Sequence, residues 1–225
     1  MPILKMAKMK EAVLLVTKMW DITQKLGSRT PLWPGEPDLV VQRNVDLGPD
    51  CPVNIGQVTA PLHAGTHADA PLHYSNDGVD SAGSSLAAYI GPCVVVDVRH
   101  AGERVEAEDC DWSAMGGTSR VLFRTYDRFP HDAWDENFKA IAPDVVARLR
   151  EGGAVLIGVD TPSLDPQTSK TMEAHREVLA GDMRILEGLV LDHVPPGAYE
   201  LIALPLPLEG ADASPVRAIL RELTQ

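Results

Sequence analysis

Seven short runs rich in β-branched residues punctuate the chain: "DLVVQRNV", "VNIGQVTA", "CVVVDV", "RVLFRT", "AVLIGVD", "RILEGLVL" and "YELIALPL". Each is bounded by Gly, Pro or Asp, as strands usually are. Helical spacing is rarer, and is carried by "APDVVARLREGG", "KTMEAHREVLAG" and "SPVRAILREL". Strands therefore outnumber helices and alternate with them only in places. That pattern predicts a mixed α/β domain with a barrel-like sheet and peripheral helices rather than a regular doubly wound sheet.

Gly and Pro are scattered rather than gathered into a linker, and no internal repeat is evident. The expectation is a single domain over residues 19–225, preceded by a loosely ordered extension over 1–18. With 44% apolar residues the chain can bury a sizeable core. Its 32 acidic against 20 basic residues give a formal charge of −12, which repels a phosphate backbone or an anionic membrane surface. Neither nucleic acid nor membrane is expected as a partner. Cys51, Cys93 and Cys110 are well separated and form no CxxC pair, so no disulfide framework or zinc ribbon is predicted. The apolar run "AVLLV" is too short for a secretory signal, and the expected location is the cytoplasm.

One stretch concentrates chemistry. In "HAGTHADAPLH", His63, His67, Asp69 and His73 stand at offsets of 0, 4, 6 and 10. A straight strand would aim all four to one side. It would also spread them over roughly 33 Å, whereas the ligands of one zinc each lie about 2 Å from it. A straight helix pairs His63 with His67 and turns Asp69 away. Only a bent segment lets them converge, and Gly65 and Pro71 are residue types that permit a bend. Neutral imidazoles with a carboxylate suit a borderline metal ion. On residues alone, a metal site and a hydrogen-bonded polar loop both remain open.

A metal centre would need distant donors, and "GVDTPSLDPQTSKTMEAHREVLAGDMRILEGLVLD" offers His175 on a predicted helix and Glu187 on a predicted strand. On one continuous helix they would lie about 18 Å apart. Gly181 must therefore fold the chain back for both to reach one centre. Without that return, His175 reads as part of a solvated helix face and Glu187 as a strand-edge carboxylate.

Together with "WDITQKLGSRTPLWPGEP" upstream and "ILEGLVLDHVPPGAYELIALPLPLEGADASPVRAIL" downstream, these segments resemble the bacterial kynurenine formamidases of the metal-dependent cyclase family. The likeness runs from about Trp20 to the C-terminus. The HxGTHxDxPxH pattern marks the wider family, which includes isatin hydrolases, and "DTPSLDP…SKTMEAH" is the more specific sign of the formamidase branch. The resemblance implies a swivelling β/β/α fold, a homodimer, and two zinc ions per subunit, with manganese as a substitute.

Carried over by position, His63, His67 and Asp69 would hold the first zinc, Asp69 reaching the second as well. His175 would bind the second, and Glu187 would bridge both. His73 would carry the proton rather than bind metal. Trp33, which on residues alone reads as a partly buried core or interface tryptophan, would contact the substrate. The implied reaction is hydrolysis of N-formyl-L-kynurenine to L-kynurenine and formate in tryptophan breakdown, with hydrolysis of a cyclic amide such as isatin as the other reading within the family. No GxSxG elbow is present, which argues against a serine hydrolase. Tyr74 is a further pocket candidate, while Asp212 and Ser214 read as caps of a C-terminal helix over "SPVRAILREL".

Overall fold

The computed structural model describes residues 18–223. Apart from Lys18, the expected N-terminal extension lies outside them. All seven β-branched runs contain strands, and six shorter strands accompany them. In chain order these are β1 (Met19–Asp21), β2 (Val40–Val45), β3 (Ile55–Thr59), β4 (His67–Asp69), β5 (Ile90–Asp97), β6 (Arg104–Val105) and β7 (Arg120–Arg124). There follow β8 (Ala140–Ile141), β9 (Leu156–Val159), β10 (Arg184–Glu187), β11 (Gly197–Ile202), β12 (Ala213–Pro215) and β13 (Ile219–Arg221). The α-helices are α1 (Trp112–Met115), α2 (Pro143–Glu151) and α3 (Glu173–Ala180).

Nine strands form one sheet in the order β1, β13, β11, β5, β7, β9, β10, β4, β12. Its centre, β5, β7, β9 and β10, is parallel. Antiparallel strands flank it on both sides. The alternation of side chains along each central strand separates two cores. Val94, Val96, Val121, Phe123, Ile157 and Val159 meet α2 and α3 on one face. Cys93, Val95, Leu122 and Leu186 point to the other, where they join Trp20, Ala68, Leu201 and Leu220 from strands on either side of the centre. Side chains from β1 and β4 share one cluster although their strands lie near opposite ends of the order, so the sheet curls around its own core as a half-barrel.

α2 and α3 form as predicted. Pro143 sits in the first turn of α2 and Gly152 follows its last, while Gly181 ends α3. The expected third helix does not exist. "SPVRAILREL" is divided between β12 and β13, and its apolar residues Val216, Ala218 and Leu220 enter the curled core. β12 is the last strand of the sheet, an edge position that tolerates Pro215. Ser214 accordingly caps no helix; its hydroxyl accepts a hydrogen bond from the Leu206 N–H at 2.8 Å.

Candidate metal centre

The bend required of "HAGTHADAPLH" is present. Gly65 takes φ +64°, His67–Asp69 is the short strand β4, and Pro71–His73 forms one 3-10 turn. Strand alternation aims His67 and Asp69 to one face and sends Ala68 into the curled core. Across the antiparallel ladder Glu187 stands opposite His67, and on the other flank Ala213 stands opposite Asp69. Residues opposite one another share a face, so Glu187 joins His67 and Asp69. α3 then brings in His175, which Gly181 and the return into β10 place beside Glu187, twelve positions further along the chain.

Asp69 Oδ1 lies 3.2 Å from His67 Nε2 and 3.1 Å from His63 Nδ1, while its Oδ2 lies 3.5 Å from His175 Nε2. Glu187 repeats the division, with Oε2 3.4 Å from His67 Nε2 and Oε1 3.7 Å from His175 Nε2. Both carboxylates thus span the gap between two imidazoles. Tetrahedral bonds of about 2.0–2.1 Å put neighbouring donor atoms about 3.3 Å apart, close to these separations.

The cluster is buried: His67, Asp69, His175 and Glu187 are each no more than 3% exposed. His67 Nε2, both Asp69 oxygens and His175 Nε2 nevertheless have no hydrogen-bond partner among the described residues. Buried polar atoms are rarely left so, and these four, one imidazole nitrogen facing each Asp69 oxygen, form a donor set suited to cations. His63, Asp69 and His73 also bring one donor atom each within 4.8 Å of one another.

The far sides of the imidazoles are anchored. His67 Nδ1 lies 2.9 Å from the Gly65 carbonyl, and His175 Nδ1 lies 2.6 Å from Asp165 Oδ2. Asp165 also accepts the Ala174 and His175 backbone N–H groups at the start of α3. These contacts leave the Nε2 atoms directed at Asp69 and Glu187. Burial alone would depress both histidines, but the carboxylates of Asp69 and Glu187 beside His67, and of Asp165 and Asp69 beside His175, push each up to about 10. Burial opposes ionisation of Asp69 as well, yet contacts with His175, His63 and His67 hold it well below the usual carboxylate range.

His63, His67, His73 and Glu187 line the floor of a cavity of about 290 Å³. Trp33 lines it, and sequence reasoning missed the residue that completes its aromatic side: Trp134, edge-on to Trp33 at 5.3 Å, its indole N–H donating to Gln167 Oε1 at 2.8 Å. Tyr74 is absent from the lining. Its ring packs beside His175 and against the helix-side core. Asp212 was also missed. Its Oδ2 lies 3.1 Å from His63 Nε2 and 3.2 Å from His73 Nδ1. Asp212 has no motif signal of its own; a carboxylate near the end of the chain meets these histidines only through strand pairing.

A buried, two-lobed histidine–carboxylate cluster at the base of an aromatic cavity, on one side of a curled mixed sheet, defines an α/β protein with a candidate metal centre. Comparison with known proteins narrows this. The family model described as "Putative cyclase" matches residues 20–166. A kynurenine formamidase of Sphingopyxis alaskensis is 60% identical over 208 residues, 92% of this chain and all of that one. The kynurenine formamidase of Maricaulis maris is 53% identical over 92% of this chain and all of its own length. Among solved structures, a potential metal-dependent hydrolase with cyclase activity superposes with a TM-score of 0.80 at 27% identity, covering 93% of this chain and 100% of that one. An isatin hydrolase bound to the product analogue thioisatinate shares the fold, with a TM-score of 0.77 at 24% identity over 92% of this chain and 93% of its own. The chain belongs to the cyclase family, and within it is a homologue of the kynurenine formamidases.

Proposed function

We propose that this enzyme is a zinc-dependent arylformamidase that hydrolyses N-formyl-L-kynurenine to L-kynurenine and formate, a step of tryptophan degradation by the kynurenine pathway in the cytoplasm. The observation that carries the metal dependence is the shared geometry of Asp69 and Glu187, each of which turns one oxygen toward His67 and the other toward His175, where the two imidazole Nε2 atoms and both Asp69 oxygens are buried without a hydrogen-bond partner among the described residues. The substrate rests on the kynurenine formamidases to which the chain is 60% and 53% identical, and on a cavity whose aromatic walls suit an aryl ring.

His63, His67 and Asp69 would hold a first ion, and Asp69, His175 and Glu187 a second, with Asp69 and Glu187 shared. Zinc, or manganese in its place, would supply Lewis acidity there, enough to make a water nucleophilic near neutral pH. His73 serves as proton carrier. Its Nδ1 faces Asp212, which leaves Nε2 to accept a proton from the water as the oxygen adds to the formyl carbon. The C–N bond then breaks, formate departs, and His73 returns the proton to the aniline nitrogen. Trp33 and Trp134, packed edge to face, offer the substrate ring one continuous aromatic surface and shield the reacting carbon from bulk water.

A homodimer is part of the same reading. Among the described residues β2 and β3 pair only with each other, and they present Val41 at 67% and Val58 at 63% exposure. A second copy of the chain would cover this apolar surface. Among the described residues no helix is long and apolar enough to cross a membrane.

The test is a paired assay of the purified, zinc-loaded protein on N-formyl-L-kynurenine and on isatin. Formamide turnover that disappears on chelation and returns with zinc supports the reading. Isatin turnover without formamide turnover would assign the protein to cyclic-amide hydrolysis instead.

A further inference from the structure

One oxygen of Asp212 touches two imidazoles. Asp212 Oδ2 is 3.1 Å from His63 Nε2 and 3.2 Å from His73 Nδ1, and the two rings lie 4.3 Å apart. The carboxylate is carried there by the backbone. Ala70 N–H donates to the Asp212 carbonyl at 2.9 Å, continuing the ladder in which Ala213 faces Asp69. The preceding loop is tied at Gly210 N–H to Asp80 Oδ2 and at the Ala211 carbonyl by Ser81 N–H. The residue is therefore built into the edge of the sheet rather than left on a free loop.

An ionised carboxylate accepts hydrogen bonds and cannot donate them. Both imidazole nitrogens facing Oδ2 must then carry the proton. In a neutral His63 this leaves Nδ1 bare toward Asp69, from which it lies 3.1 Å. For His73 it leaves Nε2 bare toward the cavity. One acceptor thus selects, in two rings at once, the tautomer each needs.

We propose that Asp212 is the positioning residue of this site, fixing the Nδ1–H tautomer of the proton carrier His73 and the Nε2–H tautomer of His63. The proposal rests on the role of His73 given above. Asp212 does not touch the reacting atoms. Its loss should lower turnover without changing how the aryl ring is held, because the aromatic walls belong to other segments. The isosteric Asp212→Asn can aim an amide N–H at His73 Nδ1 and drive the proton to Nε2, where the ring can no longer act as a base.

The experiment follows the imidazole nitrogens of 15N-histidine-labelled, zinc-loaded protein by NMR, with His73 assigned by its disappearance in His73→Gln. In the wild type, His73 is expected as the Nδ1–H tautomer, and in Asp212→Asn as Nε2–H or a mixture. The asparagine variant should bind zinc about 10-fold more weakly yet, at saturating zinc, carry the full wild-type content with a KM within about threefold, while kcat falls about 100-fold or more. Asp212→Glu, which restores an acceptor, should recover the Nδ1–H signature and part of the turnover. An unchanged His73 tautomer in Asp212→Asn, or a kcat within about threefold of wild type, would overturn the proposal, as would loss of turnover that only follows loss of zinc. If Asp212→Asn does not fold, the tautomer in Asp212→Glu decides: Nδ1–H upholds the assignment and Nε2–H ends it. Should the wild type leave aryl formamides untouched, the functional reading fails, while the tautomer comparison still decides the role of Asp212.

Discussion

Glu187 stands directly across the antiparallel ladder from His67, its Oε2 3.4 Å from the imidazole Nε2, while Oε1 accepts the Leu164 N–H at 2.9 Å. Strand register, not loop flexibility, brings the two ends of the site together. Removing the charge while keeping the shape should therefore cost metal rather than fold. Glu187→Gln is expected to lower zinc affinity by at least about 10-fold and to abolish most turnover, while the metal-free protein still folds but melts at a lower temperature at pH 6.5, where Glu187 supports the protonated His67 and His175. Equilibrium dialysis against a zinc buffer checks it, and wild-type affinity would refute it.

Metal uptake should depend steeply on pH. In the metal-free cluster, contacts with Asp69, Glu187 and Asp165 outweigh burial and push His67 and His175 up to about 10. Protons must leave for a cation to bind. Zinc affinity should rise with pH between about 6.5 and about 10, and zinc addition at pH 7.5 should release protons detectable with an indicator dye. The sign for stability is opposite. Histidines raised above their unfolded value stabilise the metal-free fold fully below about pH 6.5, and this is lost as pH climbs toward 10. The chelated protein should melt at a lower temperature at pH 9 than at pH 6.5, and the zinc-loaded protein should not share that trend.

Asp165 works at two scales. Its carboxylate meets His175 Nδ1 at 2.6 Å and also accepts the first N–H groups of α3. Asp165→Asn should weaken zinc binding about 10- to 100-fold and cost about 1 kcal/mol of stability in the metal-free state through the poorer cap. Metal titration and denaturant unfolding separate the two effects. An intact zinc affinity would mean that His175 is oriented by packing alone.

The two tryptophans should act on binding. Trp33 and Trp134 meet edge to face at 5.3 Å, and Trp134 is pinned through Gln167. An aromatic contact is worth about 0.5–1.5 kcal/mol beyond area burial, or roughly 2- to 13-fold in affinity. Trp33→Leu and Trp134→Leu should each raise KM for the aryl formamide by such a factor with kcat largely kept. Steady-state kinetics test this; a lowered kcat at unchanged KM would place the pair in the chemistry instead.

Much of this architecture is legible in the sequence where the signal is local. The seven β-branched runs contain strands, and Gly152 and Gly181 end helices, because propensity and punctuation act over a few residues. The bend at Gly65 follows from the impossibility of using His63, His67 and Asp69 on any straight element. What escaped depends on distant partners. β4 is three residues long, too short for periodicity to reveal, and exists because β10 and β12 flank it. "SPVRAILREL" carries helical spacing, yet its apolar side chains are claimed by the curled core and its backbone by β4, β11 and β1. Asp212 followed that misreading: taken as a cap, it is in fact 139 residues from the histidine it meets. Trp134 likewise becomes a wall only when the segment after β7 folds over Trp33.

The central claim is a centre in which Asp69 and Glu187 are shared between two ions. Anomalous diffraction at the zinc edge, from crystals of the zinc-loaded protein, tests it most directly. The account predicts two peaks per chain, one beside His63 and His67 and one beside His175, with Asp69 and Glu187 between them. A single peak, or zinc bound away from these residues, would contradict it.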